Sequence, residues 1–205
     1  MIIDTHDLPW RDAYKLLVGA ILPRPIAWVS TVSAAGVPNL APFSFFTAVA
    51  AEPMTICFSP MRRGGDGAPK DTLTNIEETG EFVVNMVSEH LADAMNRTSA
   101  EFPPEVDEFQ VAGLTAVPSE TVRAPRVGES LAAFECRLLQ VLHIGLPQPG
   151  AGALVLGTVR RVHLADHAMQ NGRIDPDMLR PVGRMAGSDY VRCTDRFSLD
   201  RPAGR

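Results

Sequence analysis

Residues 24–46 read RPIAWVSTVSAAGVPNLAPFSFF, and the fold turns on them. The stretch 26–32 is short, apolar and rich enough in β-branched residues for a strand. The glycine-containing run 33–37 reverses the chain, and extended sequence resumes at Asn39. The pattern predicts a β-hairpin. Proline has no N–H to give to a ladder, so Pro42 is expected to end or bulge the second strand. Backbone groups of Ala41, Pro42, Phe43 and Ser44 are then left for a ligand.

Downstream, residues 70–79 read KDTLTNIEET. Asp71 or Thr72 can cap a helix here, Leu73 and Ile76 fall on one buried face, and Gly80 is a natural stop. The free N–H groups of the first turn, the Thr72 hydroxyl and the Lys70 ammonium suit a phosphate. The same residues also suit a polar loop that merely caps a surface helix. Just upstream, PMRRGGDGAP (60–69) brings Arg62 and Arg63 near Lys70, either as further phosphate ligands or as solvated surface charges. Gly64, Gly65 and Gly67 do not have dinucleotide-binding spacing and read as a flexible loop.

Around this helix, 54–59 and 81–87 have strand composition, giving a strand–helix–strand unit. A short helix is expected over 10–17. A second is expected from a Ser88 cap to about Ser99, with Leu91, Ala94 and Met95 on one face. Residues 102–125 show no period and read as an irregular excursion with one short strand. Residues 132–143 and 153–163 alternate around the turn-rich GLPQPGAG (145–152), a long hairpin. Asn171-Gly172 marks a turn, Asp175-Pro176 opens a short helix, and residues from Ala203 on are expected to be loosely held. About six or seven strands without regular βαβ alternation predict a closed or partly closed antiparallel barrel. No internal repeat or linker divides the chain, so residues 1–205 are expected to form one domain.

Composition narrows the function. With 205 residues, 45% hydrophobic and 21% charged, the chain can bury a sizeable core. A net charge of -5 gives no basic surface for nucleic acid or an acidic membrane. Pro23, Arg24 and Pro25 interrupt the most apolar stretch, 16–32, well short of a membrane span. No basic region precedes an apolar run at the start, which favours the cytoplasm. Cys57, Cys136 and Cys193 lack metal or redox-pair spacing and read as structural thiols. His6, His90, His143, His163 and His167 are scattered, so no metal site is expected. There is no P-loop, zinc-protease helix or nucleophile elbow.

Taken in order, RPIAWVST (24–31), NLAPFSFF (39–46), KDTLTNIEETGEFVVN (70–85), GRMAGSDYVR (183–192) and DRFSLDRP (195–202) resemble the flavin reductase-like, FMN-binding split-barrel family, which includes flavoredoxin. The resemblance is weak over 91–128. It implies a mainly β fold: an antiparallel, Greek-key-like split β-barrel with a few flanking helices, dimeric, with FMN near the subunit interface. It further implies that Ser30, Thr31 and the backbone of Ala41, Pro42, Phe43 and Ser44 line the flavin ring and ribityl chain. Ser59, Arg62, Lys70, Asp71 and Thr72 would surround the phosphate, with Asp71 as a cap or as the orienter of Lys70. Tyr190 and Trp28 would lie near the ring or serve as core aromatics, and Phe45 and Phe46 would meet the second subunit. The implied activity is hydride transfer from NAD(P)H to FMN, with electrons passing to free flavin, a partner oxygenase or another acceptor. The alternatives are a flavoredoxin-type carrier that holds FMN for a redox partner and a barrel without flavin. No catalytic side chain is required, because flavin accepts hydride directly.

Overall fold

The computed structural model describes residues 1–202 and 204, so Ala203 and Arg205, where the loosely held end was expected, lie outside the described residues. Helix α1 (Trp10–Ala20) leads into the expected hairpin, β1 (Ala27–Val32) and β2 (Pro38–Phe43), paired from Ala27 opposite Phe43 to Val32 opposite Pro38. The chain continues through β3 (Phe46–Ala51), β4 (Met54–Phe58), α2 (Asp71–Thr79) and β5 (Glu81–Met86). Then follow α3 (Ala92–Arg97), α4 (Glu108–Ala112) and the short pair β6 (Ala116–Val117) and β7 (Arg126–Val127). The long hairpin is β8 (Ala132–Ile144) and β9 (Gly152–Leu164). Three small elements come next: β10 (Met169–Gln170), β11 (Arg173–Ile174) and α5 (Pro176–Leu179). The last pair is β12 (Val182–Arg184) and β13 (Tyr190–Arg192).

Seven strands form one antiparallel sheet in the order β2-β1-β5-β8-β9-β4-β3. Its two edge strands, β2 and β3, are separated in the chain only by Ser44 and Phe45. A flat seven-stranded sheet would hold those edges about 29 Å apart, six spacings of ~4.8 Å. The connection reaches only about 10 Å. The sheet therefore curls until its edges meet, and the unpaired β2/β3 seam makes it a split rather than a closed barrel.

Alternation sorts the side chains. Ala27 and Val29 of β1 face the barrel interior with Phe43, Ile56, Phe58, Phe82, Val84, Cys136 and Val155, whereas Ile26 and Trp28 face outward against Leu40, Leu91, Met95 and Phe109. Phe58 stacks between Phe43 and Phe82, with ring centroids 5.1 and 5.6 Å away. Position 157 must be glycine, because a Cβ there would sit 2.3 Å from Phe82 Cζ. Helix α2 closes one end of the barrel by adding Leu73 and Ile76 to the interior. It carries the chain from β4 to β5, which pairs with β1 rather than β4.

Several local expectations are revised. Strand β2 runs through Pro42 without ending or bulging, because it is an edge strand and an absent N–H on its outer side breaks no ladder bond. The helix expected over 88–99 is a 3-10 turn at Glu89–Leu91 followed by α3. The excursion 102–125 contains α4, capped by the Asp107 side chain on the Phe109 N–H and stopped by left-handed Gly113. Strand β3 was not anticipated, since FTAVAA is small and mostly exposed.

The rest of the excursion is anchored by one buried carboxylate. Glu135, on β8 with no exposed surface, accepts the N–H groups of Glu120 and Thr121, the Thr121 hydroxyl and His163 Nε2. Burial pushes this carboxyl up, but the Thr121 and His163 hydrogen bonds outweigh it and hold it below the ordinary carboxylate value. A depressed carboxyl adds stability above its unfolded pKa that is lost as pH falls through the folded one. Glu135→Ala should therefore cost on the order of 3 kcal/mol at pH 7 and flatten the loss of thermal stability on acidification below about pH 4. Thermal melts against pH check this, and an unchanged acid slope would show that another group is responsible.

Candidate functional site

The outer edge of β2 forms the floor of a groove whose position is set by the barrel seam and the start of α2. Two adjoining cavities meet at Pro42 and Ser99. The first is lined by Asn39, Ala41, Pro42, Phe43, Arg63, Lys70, Asp71, Thr72, Glu108 and the segment 98–102. The second is lined by Ile26, Pro42, Ser44, Met95, Asn96, Ser99, Arg184 and Tyr190.

At the first end, Lys70 itself is the N-cap of α2, with extended backbone and no side-chain cap. Neither expected capping side chain is free: Asp71 is held by Arg63 Nη2 at 3.0 and 3.1 Å, and the Thr72 hydroxyl donates to Asn39 Oδ1 at 2.7 Å. Asp71 thus orients Arg63 rather than Lys70. Leu73 and Thr74 donate their N–H groups to the Lys70 carbonyl, whereas those of Asp71 and Thr72 have no acceptor among the described residues. Two N–H groups at the positive end of a nine-residue helix, beside an ammonium, suit a dianionic phosphate.

Behind the groove, Asn39 joins three elements. Its Nδ2 donates to Glu108 Oε1 at 2.9 Å, and Glu108 Oε2 accepts the Leu40 N–H at 3.0 Å. Burial pushes the Glu108 carboxyl above its ordinary value, and the Leu40 and Asn39 N–H groups oppose that by stabilising the anion. At the other end, the Arg184 guanidinium lies 4.5 Å from the Tyr190 ring centroid, and the Tyr190 hydroxyl donates to Asn96 Oδ1 at 3.3 Å. Arg24, only 3% exposed, holds this end together. Its guanidinium donates to Ser44 Oγ and to the carbonyls of Val18, Ile21 and Met185.

Of the residues expected at the site, Ala41, Pro42, Phe43, Ser44, Lys70, Asp71, Thr72 and Tyr190 line this continuous groove. Ser30 and Thr31 have no exposed surface and lie behind it. The Ser30 hydroxyl donates to the Pro125 carbonyl, and that of Thr31 to Asn39 Oδ1. Ser59 and Arg62 sit toward the β8–β9 turn: Ser59 N–H donates to the Phe45 carbonyl, Arg62 N–H to that of Ala151 and Arg62 Nη1 to that of Gly67. Arg63, not Arg62, faces the groove. Trp28 is a core aromatic whose Nε1 donates to Thr98 Oγ1 at 2.9 Å. Sequence reasoning missed Asn39, Glu108, Arg184 and the segment 98–102 as lining residues, and named Arg63 only together with Arg62. Asn39 stands at the head of NLAPFSFF, where the pattern marks only the return to extended structure.

The family model for the flavin reductase like domain matches residues 18–179. The chain belongs to the flavin reductase-like family. It is 47% identical to an uncharacterized protein of Halalkalibacterium halodurans over 98% of this chain and 97% of that one. Among solved structures, nitrilotriacetate monooxygenase component B from Bacillus cereus superimposes with a TM-score of 0.91 at 39% identity, covering 97% of this chain and 98% of that one. The 2-nitrobenzoate 2-nitroreductase NbaA of Pseudomonas fluorescens gives 0.86 at 30% identity, covering 98% and 96%. Family and neighbours make this a flavin-related oxidoreductase with the split-barrel fold. Among the described residues no helix is long and apolar enough to cross a membrane.

Arg24→Met should remove a buried cation and leave the Val18, Ile21 and Met185 carbonyls without their donor, costing on the order of 3 kcal/mol. Denaturant unfolding measures this. A loss below about 0.5 kcal/mol, the range of ordinary surface changes, would show that water replaces the guanidinium.

Proposed function

We propose that this chain binds FMN along the β2 groove, with residues 1–205 acting as one flavin reductase-like unit. The observation that carries the reading is the joining of a helix start bearing Lys70 and two free N–H groups to an open shelf at Pro42 and Ser44. Lys70 and the Asp71 and Thr72 N–H groups would hold the phosphate. The backbone from Ala41 to Ser44 would carry the ribityl chain and ring, and Tyr190, pinned by Arg184, would bound the far end. When bound, the flavin supplies a two-electron acceptor for hydride from NAD(P)H. The protein's part is to place the ring and leave one face open to the nicotinamide, a matter of geometry rather than acid–base chemistry. Electrons would then go to free flavin or to a partner oxygenase, a role that fits the likeness to a monooxygenase component B.

An exposed apolar face formed by Val49, Met54 and Ile174 beside Phe46 and Phe134 supports a homodimer, whereas Phe45 packs against Tyr14 instead. The free thiols of Cys57, Cys136 and Cys193 support a reducing compartment such as the cytoplasm.

The reading is tested by the absorption spectrum of purified protein given FMN and then NADH or NADPH without oxygen. A flavin band that bleaches within the mixing time supports the reductase. A band that persists with both nucleotides but bleaches with a reduced redox protein would overturn it in favour of a carrier, and no binding of FMN would overturn both. Lys70→Ala should weaken FMN binding by about 1.5–3 kcal/mol, the worth of a charge-assisted contact. Riboflavin, without a phosphate, should be nearly indifferent, so equal losses would place the phosphate elsewhere.

A further inference from the structure

The hydrogen bonds around Asn39 run in one direction, and that direction limits what the groove offers a ligand. Glu108 is 5% exposed, and both its oxygens accept N–H groups, from Leu40 and from Asn39 Nδ2. A carboxylate accepts and does not donate, so the Asn39 amide nitrogen faces Glu108 and Asn39 Oδ1 faces the opposite way. There it meets the hydroxyls of Thr72 at 2.7 Å and Thr31 at 3.3 Å. An amide oxygen has no proton to give, so both hydroxyl protons are committed to it. Thr31 Oγ1 in turn accepts from Asn75 Nδ2 at 3.0 Å. Thr72, which borders the groove with only 1% of its surface exposed, is left with lone pairs and no free proton.

We propose that Glu108 is a positioning residue that fixes the polarity of this chain, so that the Thr72 hydroxyl acts in the groove as an acceptor only. It receives a hydrogen bond from a ligand hydroxyl, as a ribityl chain offers, and gives none to the phosphate. The inference rests on the FMN reading above. It assigns phosphate recognition to Lys70 and the α2 N–H groups alone, and it makes the Thr72 oxygen repel an anionic ligand atom that strays onto it.

Glu108→Gln reverses the chain. With its carbonyl still accepting from Leu40, the new NH2 faces Asn39, whose amide turns over. The Thr72 oxygen then receives the Asn39 NH2, and its proton is released toward the groove. The test measures FMN and riboflavin dissociation constants by flavin fluorescence for the full-length protein, Thr72→Val, Glu108→Gln and the double variant. In the parent, Thr72→Val should weaken FMN and riboflavin by the same factor. In the Glu108→Gln background it should weaken FMN about fivefold more than riboflavin, one neutral hydrogen bond. An FMN-to-riboflavin ratio that Thr72→Val leaves unchanged in both backgrounds would overturn the proposal. Reversal strands the Thr31 proton and lowers stability, so the parent comparison also stands alone: a fivefold loss confined to FMN on Thr72→Val would overturn the proposal without the Glu108 variant. Lys70→Ala separates the two readings. Equal loss of both flavins overturns the phosphate site itself, whereas an FMN-specific Lys70 effect with an unchanged Thr72 ratio overturns only the polarity assignment.

Discussion

A connection of two residues, Ser44 and Phe45, joins strands that lie at opposite edges of a seven-stranded sheet. Everything else in the molecule answers to that constraint. The sheet must curl, the curl creates an interior for Phe43, Phe58 and Phe82, and the open end is closed by α2 through Leu73 and Ile76. Because β2 is both an edge and part of the seam, its outer backbone remains unpaired by any strand. The same curl brings the start of α2 to that edge. The groove is thus a product of barrel closure rather than an addition to it.

The β2 edge offers few donors for adventitious pairing. Pro38 and Pro42 lie two pairs either side of Leu40 along β2, so all three share one orientation in the ladder. The outward N–H of Leu40 is taken by Glu108, and the prolines have none to give. An incoming strand finds few donors, which is how natural edges avoid adventitious pairing. Charge is managed as closely. Lys70 and Arg63 stand against Asp71, Glu101 and Glu108 on the groove wall; Asp71 is paired with Arg63, and the Glu108 anion is held by its N–H donors. Lys70 is left with the helix start as the positive feature.

How much of this was legible in the sequence depended on the range of the interactions. The β1–β2 and β8–β9 hairpins and α2 were readable because turn chemistry and short-range periodicity specify them. Gly80, left-handed at φ 70, stops α2 where expected. The motifs carried the family likeness because they are the seam, the groove floor and the helix start. What escaped was non-local. Ser30 and Thr31 sit in one of the family-like motifs, yet both are buried, Ser30 against Pro125 and Thr31, on the opposite face of β1, against Asn39 and Asn75. Arg62 and Arg63 are neighbours whose direction is decided by Ala151 and Gly67 on one side and Asp71 on the other. Glu108 lies in a stretch without period, where only Asp107 and Gly113 hinted at a short helix. Its partner Asn39 is 69 positions away in the chain.

In the function proposed above, barrel closure builds a phosphate site at the start of α2 and a flavin shelf on the edge of β2. A crystal structure of the protein soaked with FMN tests it most directly. Phosphate density is expected within hydrogen-bond distance of the Asp71 and Thr72 N–H groups and Lys70 Nζ, with the ring reaching toward Pro42 and Ser44. Phosphate density at the Arg180–Arg192 cluster around Glu89, with the β2 groove filled by solvent, would contradict it.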